Sequence, residues 1–307
     1  MTTASNRLKG HFAAIFTILV WGSTFVSTKI LLRQFGPVEI LVLRFLLGWG
    51  FLWLIHPKKL PATNRKQELL FALAGLSGVT MNYLLENFAL MHTQASNLAV
   101  IVSTAPLFVG ILAFWVLKQK QTWHFLVGFF VSIAGIILIS FPEQSAIQLH
   151  LLGDSLGITI AVVWAVYSIL MDRIGNYGFD IILVTRRIFF YGLFFMIPFA
   201  IFYGGFDHPS LWIQPTNLAL LLYLGIIACA VSYMTWNYAI ETIGPVKANL
   251  YIYGSPIVTI LSSVCVLHEK LYTKTVAGMF LTMTGVVLSS GFLQAKKFTN
   301  GSNRKGT

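Results

Sequence analysis

Charge is scarce in this chain. Of its 307 residues only 10% are Asp, Glu, Lys or Arg, against roughly a quarter in soluble domains. Acidic residues are the scarcest, 10 against 21 Lys and Arg. Cysteine is nearly missing: Cys229 and Cys265 are the only two, both inside apolar runs, which excludes a disulfide framework and any cysteine-rich metal site. They read as small buried apolar residues. None of the seven histidines (11, 56, 92, 124, 150, 208 and 268) falls near the middle of an apolar run, so buried histidine chemistry has no starting point. Long polar stretches are missing too, leaving no room for a soluble catalytic domain.

What remains is apolar: 56% of the residues. Runs of spanning length, about 20 residues, occupy approximately 11 to 32 (span 1), 37 to 56 (span 2), 69 to 91 (span 3), 95 to 117 (span 4) and 124 to 141 (span 5). They continue at 152 to 172 (span 6), 180 to 203 (span 7), 217 to 240 (span 8), 247 to 268 (span 9) and 274 to 293 (span 10). The first exceeds the 7 to 15 apolar residues of a secretory signal and ends without a small-residue cleavage site, so it reads as a retained span.

The net charge of +11 follows the membrane rather than a nucleic acid. With the amino terminus inside, Arg7, Lys9, Lys58, Lys59, Arg65, Lys66, Lys118, Lys120, Arg173, Lys247 and the tail 294 to 307 share the cytoplasmic side. Outside there remain Arg33, Lys270 and Lys274, with Lys29 near that edge. This is the positive-inside distribution, and it predicts a multi-pass protein of the plasma membrane with both termini cytoplasmic.

The strongest signal is an internal repeat. At an offset of 150, residues 70 to 140 fall on 220 to 290 without a gap: Gly75 meets Gly225, Tyr83 meets Tyr233, Asn87 meets Asn237, Pro106 meets Pro256 and Gly135 meets Gly285. At an offset of 143 the earlier part matches as well, Trp21 with Trp164 and Arg44 with Arg187. Five spans per copy is an odd number, so the second copy must lie upside down in the bilayer. The expected fold is all-α and integral to the membrane, ten transmembrane helices as two inverted five-helix repeats: 1–142, an extracellular linker 143–152, 153–293, and a cytoplasmic basic tail 294–307. Such duplications are typical of secondary transporters, which hold substrate at the repeat interface near the midplane.

Counting along the spans at about 1.5 Å per residue puts Trp21, Trp164, Pro106 and Pro256 near mid-bilayer. A buried indole N–H in lipid lacks a partner, so both tryptophans should face the bundle interior, with Thr24 and Tyr167 one turn on. Pro106 and Pro256 should free the carbonyls of Val102 and Ile252, either as hinges or as static kinks, with neighbouring Ser and Thr hydroxyls to satisfy them. Span 3 carries Asn82, Tyr83, Glu86 and Asn87 at three and four spacing, and an ionisable group in a span is functional by default. Glu86 either pairs with Lys29 or Arg44 as a structural counter-ion or touches what is carried. Its repeat counterpart is Trp236, whereas Arg44 and Arg187 recur in both copies, as a fold-holding role requires. They are expected to bond carbonyls at helix ends. Glycines 128, 135, 278 and 285 read as close helix packing.

The runs "FTILVWGSTFVSTKILL", "FALMHTQASNLAVIVSTAPLFVGILAFWVLKQKQ" and "WNYAIETIGPVKANLYIYGSPIVTILSSVCVLHEKLY" resemble the EamA-type family of the drug/metabolite transporter superfamily, in two copies covering nearly the whole chain. The resemblance implies ten helices, a central cavity among helices 1, 3, 4, 6, 8 and 9, peripheral helices 5 and 10 that often form a homodimer, and export of amino acids or other small metabolites. The family's Trp-Gly falls on Trp21 and Gly22, its helix 2 arginine on Arg44, and its prolines on Pro106 and Pro256. Its acid after helices 4 and 9 is Glu269 in the second copy but Gln119 in the first.

The expected function is alternating-access export of an amino acid or similar amphipathic or aromatic small molecule. Trp21, Thr24, Tyr83, Glu86, Asn87, Trp164, Tyr167, Tyr233, Trp236, Asn237 and Tyr253 are the candidate binding residues, with proton coupling through Glu86. No cofactor, metal or nucleic acid is expected; the partners are the substrate and the lipid bilayer. A nucleotide-sugar or other carrier of the same superfamily is the alternative. From another class, "GLSG" at 75 to 78 matches the pattern of an intramembrane serine protease using Ser77, but the match is four residues long and its repeat partner "GIIA" has no serine.

Overall fold

The computed structural model describes residues 4–118, 123–140, 147–203 and 209–289, and among these every regular element is helical. Eight runs are long and apolar enough to cross a bilayer: Asn6–Leu31 (span 1), Pro37–Ile55 (span 2), Arg65–His92 (span 3), Ala95–Val116 (span 4), Leu151–Gly175 (span 6), Ile181–Tyr203 (span 7), Pro215–Ile243 (span 8) and Lys247–Leu267 (span 9). The shorter apolar helices Trp123–Ile139 (span 5) and Thr273–Leu288 (span 10) complete the ten. Span 6 continues a helix that begins at Ile147, so residues 147–152, expected as a connection, are helical. Gln119 and the tail 294–307 lie outside the described residues.

Local chemistry sets the helix ends. Asn64 opens span 3 with a reciprocal box, its side chain accepting from Gln67 N at 2.9 Å while its own N–H reaches Gln67 Oε1 at 2.9 Å. Pro37 and Pro245 sit in the first turn of their helices, where a missing N–H costs nothing. Gly244, at φ +85°, makes the sharp reversal between spans 8 and 9, a conformation that favours glycine.

The packing repeats across a pseudo-two-fold axis. Span 1 lies against spans 8 and 9, and its counterpart span 6 lies against spans 3 and 4; span 2 meets span 8 as span 7 meets span 3. Spans 5 and 10 pack against each other, and here the glycine stripes are used within one chain. A Cβ on Gly135 would lie 2.7 Å from Gly278 O, and one on Gly285 2.6 Å from Gly128 O. Ser132 Oγ donates to Thr282 O at 3.2 Å, and these two are repeat counterparts (132 and 282).

Two features depart from the expectations above. Pro106 and Pro256 are not kinks inside continuous helices. Span 4 breaks at Ser103 and Thr104, between helices Ala95–Val102 and Ala105–Leu117. Span 9 passes through a tight 3-10 turn, Tyr251–Gly254, before helix Ser255–Ser262. Each proline thus occupies a first helical turn, which suits its fixed φ. At the break in span 4, Val100 O accepts from Ser103 Oγ and Ile101 O from Thr104 Oγ1, at 2.6 Å each, and Ile101 O also takes Thr104 N at 3.1 Å. Spans 3 and 8 also widen into π turns, Leu76–Met81 and Tyr223–Val231, whose overlapping parts are repeat counterparts. Such turns interrupt the i to i−4 ladder, and counterpart carbonyls within them accept from side chains. Gly78 O accepts from Tyr233 OH at 2.5 Å, and Ala228 O accepts from Trp21 Nε1 at 3.0 Å.

Candidate functional site

At the crossing of the two repeats lies a cavity of about 60 Å³ lined by Trp21 and Thr24 of span 1, Asn82, Tyr83 and Glu86 of span 3, Ser103 of span 4, Trp164 of span 6, and Ile252 and Ser255 of span 9, with apolar neighbours. Ligand pockets are typically about 300 to 1,000 Å³, so in this conformation the centre has room for a few waters and too little for a metabolite. Trp21 and Trp164, repeat counterparts, meet edge to face with centroids 5.2 Å apart. Trp236 packs on both, at 5.2 and 6.0 Å, and Tyr233 closes the cluster 5.6 Å from Trp21.

Of the expected binding residues, Trp21, Thr24, Tyr83, Glu86 and Trp164 line the cavity. Tyr167, Tyr233 and Trp236 lie behind it, fully buried. Asn87 and Asn237 are engaged elsewhere: Asn87 Nδ2 donates to Pro37 O at 2.7 Å, while Asn237 accepts from Tyr167 OH at 2.9 Å and donates to Thr185 Oγ1 at 3.0 Å. Tyr253 does not reach the cavity either; it packs with Leu107, Phe125 and Val286 on the side of spans 5 and 10. The reason is helical phase. Asn87 follows Glu86 by one residue, about 100° around the helix at 3.6 residues per turn, which turns it toward Pro37 of span 2, while Tyr83, one turn earlier, borders both the cavity and Phe45 of span 2. Asn82, Ser103 and Ser255 went unassigned in the sequence reading. For Asn82 the signal was its spacing from Glu86.

The charged residues correct the expected pairing. Lys29 does not face Glu86. Its Nζ bonds Glu269 Oε1 at 3.3 Å and Thr93 O at 2.8 Å. Glu269 also accepts from Ala95 N at 2.9 Å, Ser96 N at 3.3 Å and Ser96 Oγ at 2.8 Å, capping the first turn of span 4 where the helix end favours an anion. Burial pushes the Glu269 carboxyl up, but Lys29 and the Ala95 and Ser96 donors outweigh it and hold the group below its ordinary value. Span 1, span 4 and the 268–272 connection are thereby latched together on the face opposite the amino terminus. At the repeat-equivalent end of span 4, Lys118 matches His268, and both adopt left-handed backbone, φ 56° and 54°.

Arg44 is fully buried, its Nε 3.2 Å from Cys229 Sγ and its guanidinium 4.3 Å from the centroid of Tyr83. It bonds no helix-end carbonyl, and neither does Arg187. That part belongs to Arg186, which donates to His56 O at 2.6 Å and to Lys58 O and stacks 3.6 Å over Trp53. Arg187 instead holds Glu68 in a two-pronged pair at 2.8 and 3.1 Å, joining span 7 to span 3. Among the described residues no three His, Cys, Asp or Glu side chains gather where they could hold a metal ion. Ser77 Oγ donates back to Leu73 O of its own helix at 2.8 Å, the ordinary use of a helical serine.

Inverted five-helix repeats closing on a central cavity define a membrane transporter. The model of the EamA-like transporter family matches residues 8–141 and again 151–291, one match per repeat, and the chain belongs to that family. An uncharacterized transporter of Archaeoglobus fulgidus is 30% identical over 289 residues, 92% of this chain and 97% of its own length. Another from Clostridium kluyveri is 25% identical over 296 residues, 92% and 93% of the two chains. A protein of solved crystal structure superposes with a TM-score of 0.65 over 97% of this chain and 99% of its own, at 16% identity; a likeness at that identity bears on the fold alone.

Proposed function

We propose that this transporter is a secondary carrier that exports an amino acid or a similar amphipathic or aromatic metabolite by alternating access, with no chemical step. The observation that carries the reading is the central cavity shared by both repeats, walled by Trp21 and Tyr83 from one and Trp164, Ile252 and Ser255 from the other. Its small volume fits a state closed around the midplane, from which the repeats must part to admit substrate. The breaks before Pro106 and Pro256 supply joints where span 4 and span 9 can bend without breaking further hydrogen bonds. Nucleotide-sugar transport is the weaker reading, because phosphates need paired cations and no Lys or Arg lines this cavity. The carrier is placed in the plasma membrane with both termini cytoplasmic, on the strength of its basic connections.

The test is a metabolite-release screen of overexpressing against control cells, followed by counterflow of each hit in proteoliposomes. Saturable counterflow is the expected outcome; single-channel conductance, or no flux for any hit, would refute the carrier. Proton coupling is proposed through Glu86, which lines the cavity, with Arg44 of span 2, Tyr83 of span 3 and Cys229 of span 8 near it. Flux by Glu86→Gln should then lose its pH dependence, and an unchanged profile would remove the coupling.

A further inference from the structure

The one carboxyl that lines the cavity and the amide one turn before it are both unpartnered. Asn82 and Glu86, one turn apart on span 3, are each 5% exposed and both line it. Glu86 Oε1 and Asn82 Oδ1 are shut off from solvent and receive no hydrogen bond from the protein. A buried acceptor left unmet is unfavourable, and a charged one more so. Two of them side by side mark a place where something outside the chain donates.

The protein's own cations give Glu86 no hydrogen bond, Arg44 acting on it through charge alone. Lys29 is held by Glu269 and Thr93. Arg44 does not line the cavity; it lies on the face of Tyr83, which does, and its terminal nitrogens meet no acceptor. Groups that could have received an anion are already engaged. Trp21 Nε1 donates to Ala228 O and Trp164 Nε1 to Asn249 Oδ1 at 3.2 Å, and the hydroxyls of Thr24 and Ser103 donate to Trp21 O and Val100 O. The remaining walls are aromatic and aliphatic apart from Ser255, a single neutral hydroxyl.

The geometry points to Glu86 and Asn82 as the recognition point for an ammonium group, and to an apolar or aromatic amine as the class of compound carried. The inference rests on the carrier reading of this same cavity. An ammonium brings three donors and no acceptor: one meets Glu86, one Asn82, and its charge lies beside the ring of Trp21, which attracts cations. A carboxylate on the same molecule would approach Glu86 with like charge. Binding should therefore fall from the plain amine to the amino acid to the acid.

Three probes sharing one ring test this on the purified full-length protein: 2-phenylethylamine, phenylalanine and 3-phenylpropionate, titrated by calorimetry and by quenching of tryptophan fluorescence. The expected order is amine first, phenylalanine at least tenfold weaker, and no saturable binding of the acid. Glu86→Gln should weaken the amine roughly 10- to 100-fold, as loss of a charge-assisted contact does. Glu86→Asp, which keeps the charge, should retain the order at lower affinity; it also guards against misreading a folding defect. Equal binding of 3-phenylpropionate, or full amine affinity in Glu86→Gln, overturns the inference. So does counterflow of compounds that lack an amine while a panel of alkyl and aryl amines neither binds nor competes, a result that leaves the carrier itself standing. Absence of counterflow for every compound removes both.

Discussion

Replacing Glu269 by glutamine should open the latch on the face opposite the amino terminus. The carboxylate holds Lys29, two backbone N–H groups and the Ser96 hydroxyl, and its side chain is only 7% exposed. Glutamine keeps one acceptor oxygen, puts a donor where the second oxygen stood and removes the charge. Hydrogen bonds to charged groups contribute about 1.5 to 3 kcal/mol each. Lys29, 27% exposed, recovers part of its loss from water. A net shift of about 2 to 3 kcal/mol toward the open form follows, roughly 30- to 150-fold in the equilibrium. The reporter is a cysteine at Ser103 in a Cys265→Ser background, labelled by a membrane-impermeant maleimide from that face. Its labelling rate should rise by about the same factor; a rate equal to that of the parent would refute the latch. The acid dependence has a definite sign. A carboxyl held below its ordinary value contributes stability that is complete above that value and lost only as pH falls through the lowered one. The ratio of Glu269→Gln to parent labelling rates, in which the thiol's own ionisation cancels, should therefore stay flat between about pH 5 and about pH 8.

Other outcomes are equally open to measurement. Gly78→Ala puts a Cβ 2.1 Å from the Tyr167 ring; the overlap should lower stability in detergent by about 1 to 3 kcal/mol, and an unchanged melting temperature would contradict the packing. His268→Gly relieves a left-handed residue at φ 54° and should be stabilising by about 1 kcal/mol, read as a higher melting temperature. Ser77→Ala should leave flux unaltered, and the parent should take up no fluorophosphonate label; labelling at Ser77 would revive the protease.

The architecture was legible because it follows from quantities that sequence carries directly: run length, loop charge and two fixed offsets. Site chemistry was legible where it depends on depth alone, as with Trp21 and Trp164, whose meeting on the axis follows from their counterpart positions. It was lost where it depends on azimuth. Asn87 and Glu86 are neighbours in sequence and in depth, yet the turn between them separates a bond to Pro37 from the cavity wall. The π turns in spans 3 and 8 leave no mark in composition, and they decide which carbonyls receive Tyr233 and Trp21. The partner of Lys29 was hidden for another reason. A long flexible side chain at a helix end can reach a connection far away in sequence, here 240 positions on, and depth counting pairs it with whatever lies level.

The Lys29 and Glu269 latch has no twin. Its counterpart positions are Asp172 and Gln119, two residues that cannot form an ion pair, so the two faces of the protein are not closed by the same contact. In a carrier that alternates access, such a difference cannot decide the direction of net flow, which belongs to the gradients. It decides where the empty protein rests between cycles. A carrier resting away from the latched face samples the compartment on the other side, and half-saturates there at a lower concentration than it needs on the latched side.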